Sequence, residues 1–184
     1  MSNILVTGGT GFTGIALVER LVRDGHCPRV IDLNPPDYPE IENSIEFIRG
    51  DTRDIQQLKE AYKGIDTVFH LAATVLPTRG KWKYMSTNFD GTRNVARAAL
   101  ENKVKHMVHI STSAVFGVPK HLPVTEETGF SPMGYYGTAK YLAEAELYRC
   151  REQGLKVAIL RPRTIIGTQR LGIFHILFDW IKSG

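Results

Sequence analysis

The stretch from Thr7 to Gly14 constrains this chain more than any other. It reads Thr7-Gly8-Gly9-Thr10-Gly11-Phe12-Thr13-Gly14 and follows the apolar run Ile4-Leu5-Val6; beyond it Phe12, Ile15, Ala16, Val18, Leu21 and Val22 recur at helical spacing. Three apolar residues are too few for a helix and suit a buried strand, so a strand feeds a helix through glycines. Gly9 to Gly14 fit G-x-G-x-x-G. In that pattern one glycine makes the tight turn, one lets a pyrophosphate reach the backbone, and one lets helix and strand pack closely. The helix start adds free N–H groups and a partial positive charge. A second strand, Arg29-Val30-Ile31-Asp32-Leu33, carries its acid eighteen positions past Gly14, where such a unit needs a carboxylate for ribose hydroxyls.

With 184 residues the chain has enough length for one domain with a real core and little room for a second. At 42% hydrophobic and 23% charged residues it has the composition of an ordinary soluble protein. No apolar run approaches the roughly 20 residues that span a bilayer, and Met1-Ser2-Asn3 lacks the basic and apolar regions of a signal peptide. The expectation is a cytoplasmic protein without a membrane partner. Cys27 and Cys150 lack metal-ligand spacing and read as reduced thiols, and no metal site is expected. The net charge of +4 comes from scattered Lys and Arg without a basic stripe, which argues against a nucleic-acid partner.

The prolines of Asn34-Pro35-Pro36-Asp37-Tyr38-Pro39 mark a surface loop. A third strand follows at Ile45-Glu46-Phe47-Ile48 and ends at Gly50-Asp51-Thr52. Asp51 has two readings, as a cap for a short helix from Ile55 to Tyr62 and as a side chain beside an adenine. The fourth strand is Asp66 to Ala73, with His70 read as a packed, hydrogen-bonded core residue and with small residues at the end that let a cofactor lie against the backbone. A long helical pattern runs from Tyr84 to Glu101. The fifth strand, His106 to Ile110, delivers Ser111-Thr112-Ser113 at its carboxyl end, the side on which ligands bind in an open parallel sheet.

A proline-rich and charged connection leads to Tyr135-Tyr136-Gly137-Thr138-Ala139-Lys140 and a helix running to Arg151. Tyr136 and Lys140 stand four apart and share a helix face. Bringing a phenol from its usual pKa of about 10 toward neutrality takes roughly 4 kcal/mol. An ammonium ~4 Å away, at an effective dielectric of about 20, supplies that much. Such a pair makes a general base from a tyrosine.

Taken together, the glycine turn, Asp32, Gly50-Asp51, His70-Leu71-Ala72-Ala73, Asn88-x-x-Gly91-Thr92-x-Asn94-Val95, Ser111-Thr112, Tyr136-x-x-x-Lys140 and Leu160-Arg161-Pro162 occur in one order over residues 1 to 168. In this the chain resembles the extended short-chain dehydrogenase/reductase family, the NAD(P)-dependent epimerases and dehydratases. The resemblance implies an α/β fold: a Rossmann-type doubly wound parallel sheet of six strands in order 3-2-1-4-5-6. It implies NAD as cofactor, lying against Gly8, Gly11, Phe12, Thr13 and Gly14, against Asp32, Asp51 and Thr52, and against Leu71, Ala72, Ala73 and Asn88. The charge of Asp32 disfavours a 2′-phosphate and hence NADP. Tyr136 is implied as the catalytic acid/base, Lys140 as the residue that lowers its pKa and holds the nicotinamide ribose, and Thr112 as the hydroxyl that holds the reacting oxygen, ahead of Ser111 and Ser113. The reaction implied is hydride transfer between a substrate carbinol carbon and the nicotinamide, with loss of the hydroxyl proton to Tyr136. The helices from Tyr84 to Glu101 and from Tyr136 to Arg151 are implied as the interface of a homodimer.

Three departures stand out against this pattern. Phe116 replaces a usual tyrosine near the substrate side. Arg163, after a sixth strand at Val157 to Leu160, has two readings, as a partner for an anionic substrate group and as one half of a surface ion pair. The pattern also ends early: residues 1–168 read as the NAD-binding domain and 169–184 as the start of a truncated substrate-binding region, whose apolar stretch from Gly172 to Lys182 asks for a partner surface. The functional expectation is an epimerase or dehydratase acting on a nucleotide sugar. The alternatives are a dehydrogenase of a steroid-like or other alcohol and a non-catalytic dinucleotide-binding module.

Overall fold

The computed structural model describes residues 3–37, 40–75, 80–167 and 174–183. Its centre is one sheet of six parallel strands: β1 (Ile4–Thr7), β2 (Arg29–Asp32), β3 (Glu46–Arg49), β4 (Thr67–His70), β5 (His106–Ile110) and β6 (Lys156–Leu160). The spatial order is β3-β2-β1-β4-β5-β6, as expected, so chain direction across the sheet reverses beside β1. Helices α1 (Phe12–Arg23), α2 (Ile55–Ala61), α4 (Thr92–Glu101) and α5 (Gly134–Glu152) make the crossovers and lie on both faces. The sheet is thus doubly wound.

Parallel pairing puts registered residues on one face. Leu5, Val68, Met107 and Val157 stand in register across four strands, and all are buried in a core shared with Leu58, Val95, Ala99 and Leu147 of α2, α4 and α5. The opposite face carries Val6, Phe69, Val108 and Ala158 in register. Val18 and Leu21 of α1 bury Val6 and Val30 there, whereas Ala158 and the neighbouring Leu160 are exposed. That second layer covers β1 and β2 and leaves β6 open.

Local chemistry sets the element ends. The short helix α2 is capped by Asp54, whose carboxylate accepts from the Gln56 and Gln57 amides at 2.9 and 3.2 Å. Asp51 is therefore not the cap: it stands one turn too early, and its carboxylate takes the Arg53 amide and guanidinium. The helix expected from Tyr84 to Glu101 begins earlier, as α3 (Lys81–Tyr84), and passes through a π-helical stretch (Met85–Gly91) before α4. A side chain at Gly91 would lie 2.6 Å from Thr52 Oγ1, so the bare backbone there admits the loop after β3. The helix α6 (Phe174–Ser183) exposes Phe178, Trp180 and Ile181; residues 168–173, which include the first two positions of the apolar stretch, lie outside the described residues. Among the described residues no helix is long and apolar enough to cross a membrane. None brings together three His, Cys, Asp or Glu side chains able to hold a metal.

Candidate active site

The carboxyl ends of β1, β2 and β4 build one half of the site. Gly8 has φ +74°, a conformation that side chains resist, and a Cβ there would lie 2.4 Å from the Ala72 nitrogen. A Cβ at Gly14 would lie 2.2 Å from the Gly8 oxygen, so α1 starts directly against the turn. The cap residue Gly11 has no side chain to offer, and the first turn of α1 has no acid, which leaves its N–H groups to an external anion. Asp32 braces the turn by accepting from the Thr10 amide at 3.2 Å and from the Asn34 amide at 3.3 Å. Phe12 and Thr13 are half-buried, and the Phe12 ring lies against Gly167.

Leu71, Ala72 and Ala73 continue β4 as a half-buried loop tied at both ends. The Leu71 amide donates to the Thr7 carbonyl at 2.9 Å. At the other end buried Asn88 pins the backbone of Thr74, accepting from its N–H at 2.7 Å and donating to its C=O at 2.9 Å. Both arms of the Asn88 amide are thereby used on the loop. Asp51 pairs with Arg53 at 2.5 Å, which holds its carboxyl below the ordinary range. Thr52 is buried against Gly91.

The ends of β5 and β6 with α5 build the other half. Of the three hydroxyls after β5, Ser111 turns inward and bonds the Glu144 carboxylate. Thr112 starts a 3₁₀ turn (Ser113–Phe116) by accepting from the Ala114 amide at 3.2 Å, which leaves its own proton to donate. That hydroxyl meets Tyr136, which is half-buried with the Tyr84 ring edge-on at 5.9 Å. Burial pushes the Tyr136 phenol above its usual pKa; Thr112 acts against the rise and Tyr84 adds to it. Lys140 is buried, and its Nζ donates to the Ile110 carbonyl at 2.6 Å and lies 3.2 Å from His109 Nε2. Burial brings its pKa down to about 7, with Glu144 pulling the other way.

Three features of this half were not anticipated. Glu144, four residues after Lys140 and so on its helix face, is almost fully buried and takes Arg161 in a two-pronged pair at 2.7–3.1 Å. The spacing carried the signal, but the partner arrives from β6. The Arg161 guanidinium also lies over the Phe116 and Phe130 rings, so Phe116 is packed into this cluster. His70, expected as a bonded core residue, takes Thr7 Oγ1 at 2.6 Å and Thr92 Oγ1 at 2.8 Å and stacks on His109 at 5.1 Å, a pairing of strands that periodicity does not reveal. Arg163 is exposed and makes no ion pair among the described residues.

A profile of the NAD dependent epimerase/dehydratase family matches residues 4–183. The uncharacterized protein y4nG of Sinorhizobium fredii is 41% identical over 98% of the chain and 45% of its own length. The N-acetyl-alpha-D-glucosaminyl-diphospho-ditrans,octacis-undecaprenol 4-epimerase of Escherichia coli O157:H7 is 35% identical over 99% of the chain and 54% of its own length. The crystal structure of the Bordetella bronchiseptica enzyme WbmG in complex with NAD superposes with a TM-score of 0.88 at 27% identity, covering 98% of this chain and 59% of that one. The chain thus spans about half the length of the relatives it matches.

Proposed function

The chain belongs to the NAD dependent epimerase/dehydratase family, and from that premise we propose that the whole protein is an NAD-dependent epimerase or dehydratase of a nucleotide sugar. Tyr136 carries the proton, Thr112 orients the reacting oxygen and Lys140 supplies charge to the phenol. One observation supports the reading: the glycine turn after β1, the loop after β4 tied to Thr7 and Asn88, and Thr112 with Tyr136 after β5 all lie at the carboxyl end of one parallel sheet.

The residues fit a dinucleotide. Gly8 and Gly14 let the turn pack directly against Ala72 and the first turn of α1 with no side chain between, and the open start of α1 suits a pyrophosphate. Asp32 beside the turn suits a ribose diol and repels a 2′-phosphate. Bound there, nicotinamide supplies a two-electron acceptor for the substrate carbinol. The rest is done by the chain. Thr112, with its oxygen occupied by Ala114, donates its proton toward the phenol and the substrate oxygen. Tyr136 takes the substrate hydroxyl proton once its phenolate is stabilised, and a cationic Lys140 is the group within one helical turn that can do so. Residues 1–168 serve as the cofactor domain of this reading and 169–184 as the start of the substrate part; α4 and α5 serve as the face of a homodimer, and the cytoplasm as its place.

Calorimetric titration of the chain with NAD⁺ and NADP⁺ tests the cofactor half. Binding of NAD⁺ with much weaker NADP⁺ is expected; equal binding of both removes the role given to Asp32. In the whole protein, interconversion of a nucleotide sugar without net NADH release is expected. Stoichiometric NADH release from an alcohol would replace the epimerase or dehydratase by a dehydrogenase.

A further inference from the structure

His109 takes no part in the function just proposed, yet it is fully buried beneath Lys140 and its Nδ1 has no hydrogen-bond partner. Its position is dictated from behind. Thr92 donates its hydroxyl proton to the Asn88 carbonyl at 2.7 Å, so its oxygen accepts from His70 Nε2–H, and His70 Nδ1 accepts from Thr7. This fixes His70 as a neutral ring held at both ends, with His109 stacked on it at an interplanar angle of 28°.

The same accounting assigns the proton of His109. A buried N–H without a partner is rarer and costlier than an unfilled acceptor. The unpartnered Nδ1 is therefore the bare nitrogen, and the proton sits on Nε2, 3.2 Å from Lys140 Nζ. An ammonium has three donors and nothing with which to accept. Only an uncharged amine can take the His109 proton while giving one of its own to the Ile110 carbonyl. Burial drives Lys140 in the same direction.

We propose that His109 is a positioning residue that holds Lys140 retracted on β5 as an uncharged amine, and that cofactor binding releases the amine toward Tyr136 with uptake of one proton from solvent. The second half rests on the function proposed above. The groups around Nζ are His109 on β5, His70 behind it on β4, and Tyr136 and Glu144 one turn to either side on α5; Glu144 is already neutralised by Arg161. Retraction leaves the phenol without its cation, so a site without cofactor does not strip protons from stray alcohols.

The titration of Lys140 itself is the test, followed through its ¹³Cε resonance in the unliganded chain and assigned by its loss in Lys140→Met. The midpoint is expected at about 7. His109→Phe keeps a ring on His70 but has no N–H to give, and the midpoint should rise by at least about one pH unit, a tenfold gain in proton affinity. His109→Gln restores a donor and should stay near the parent. His109→Ala, which lets water reach the amine, is read as the Phe variant is if that one does not fold. An unchanged midpoint without the donor overturns the hold. Saturating NAD⁺ should raise the midpoint in the parent chain, and binding without that rise overturns the release. If NAD⁺ does not bind, the function proposed above fails, and the unliganded titration still decides the role of His109.

Discussion

A single methyl group separates two kinds of glycine in this chain. At Gly14 an added Cβ would meet backbone oxygens of Gly8 and Gly9 at 2.2 and 2.6 Å, atoms that cannot turn aside as a side chain can. Gly14→Ala should cost about 1–3 kcal/mol of stability and weaken NAD⁺ binding at least about tenfold by calorimetry, because the turn itself must open. Gly25 is the contrast: φ is +84° and nothing lies within 4 Å of a Cβ. Gly25→Ala should cost about 1–2 kcal/mol in urea denaturation and leave nucleotide binding unchanged. The first kind was legible because strand, glycine spacing and helix are consecutive in the chain. What Lys140 points at was not, because Ile110 and His109 lie about thirty positions earlier and only β5 beside α5 brings them near.

Between elements, the Glu144 and Arg161 pair ties the end of β6 to α5, and Ser111 ties the end of β5 to the same carboxylate. Glu144 is only 1% exposed, so removing it leaves a partly buried guanidinium without its counter-charge. Glu144→Ala should lose about 3–5 kcal/mol in urea denaturation, and combining Glu144→Leu with Arg161→Met should recover much of that. The strands could be read from apolar runs separated by helical patterns, whereas their order came from the resemblance to a doubly wound family and not from the runs. The helix boundaries were less legible. The start of the long helix came at Lys81 because exposed residues can extend a helix without any apolar spacing, and the π-helical turn reflects how Asn88 and Gly91 meet the loops after β4 and β3. The cap at Asp54 was missed because both acids are close to the helix and only geometry separates them.

For the molecule as a whole, the buried titratable groups set the dependence of stability on pH. Burial holds the pKa of His70 at about 3 and that of His109 well below the ordinary histidine range. Both rings are neutral in the folded chain, while an unfolded chain protonates them below about pH 6.5. The unfolded state then binds more protons, so stability falls as pH falls through that window, by up to about 1.4 kcal/mol per pH unit for each ring. Lys140, with its pKa lowered to about 7, works in the same direction higher up: the unfolded chain keeps the lysine charged to about pH 10.5, so stability rises as pH climbs from 7. Tyr62 and Tyr136, both raised by burial, reverse the trend above about pH 10. Urea midpoints should therefore peak on the alkaline side of neutrality, and His70→Asn should flatten the acid limb. The parallel sheet has a further consequence, one that concerns how the chain is made. The turn at Gly8 is synthesised ahead of its own wall: Thr7 receives the Leu71 amide and Gly8 packs on Ala72, more than sixty positions later. At roughly 5–20 residues per second a ribosome delivers that wall some 3 to 13 s after the turn has emerged. A dinucleotide in the cell therefore meets no finished cradle until the chain has been made through Ala72; it can only clasp a turn that β4 has already reached.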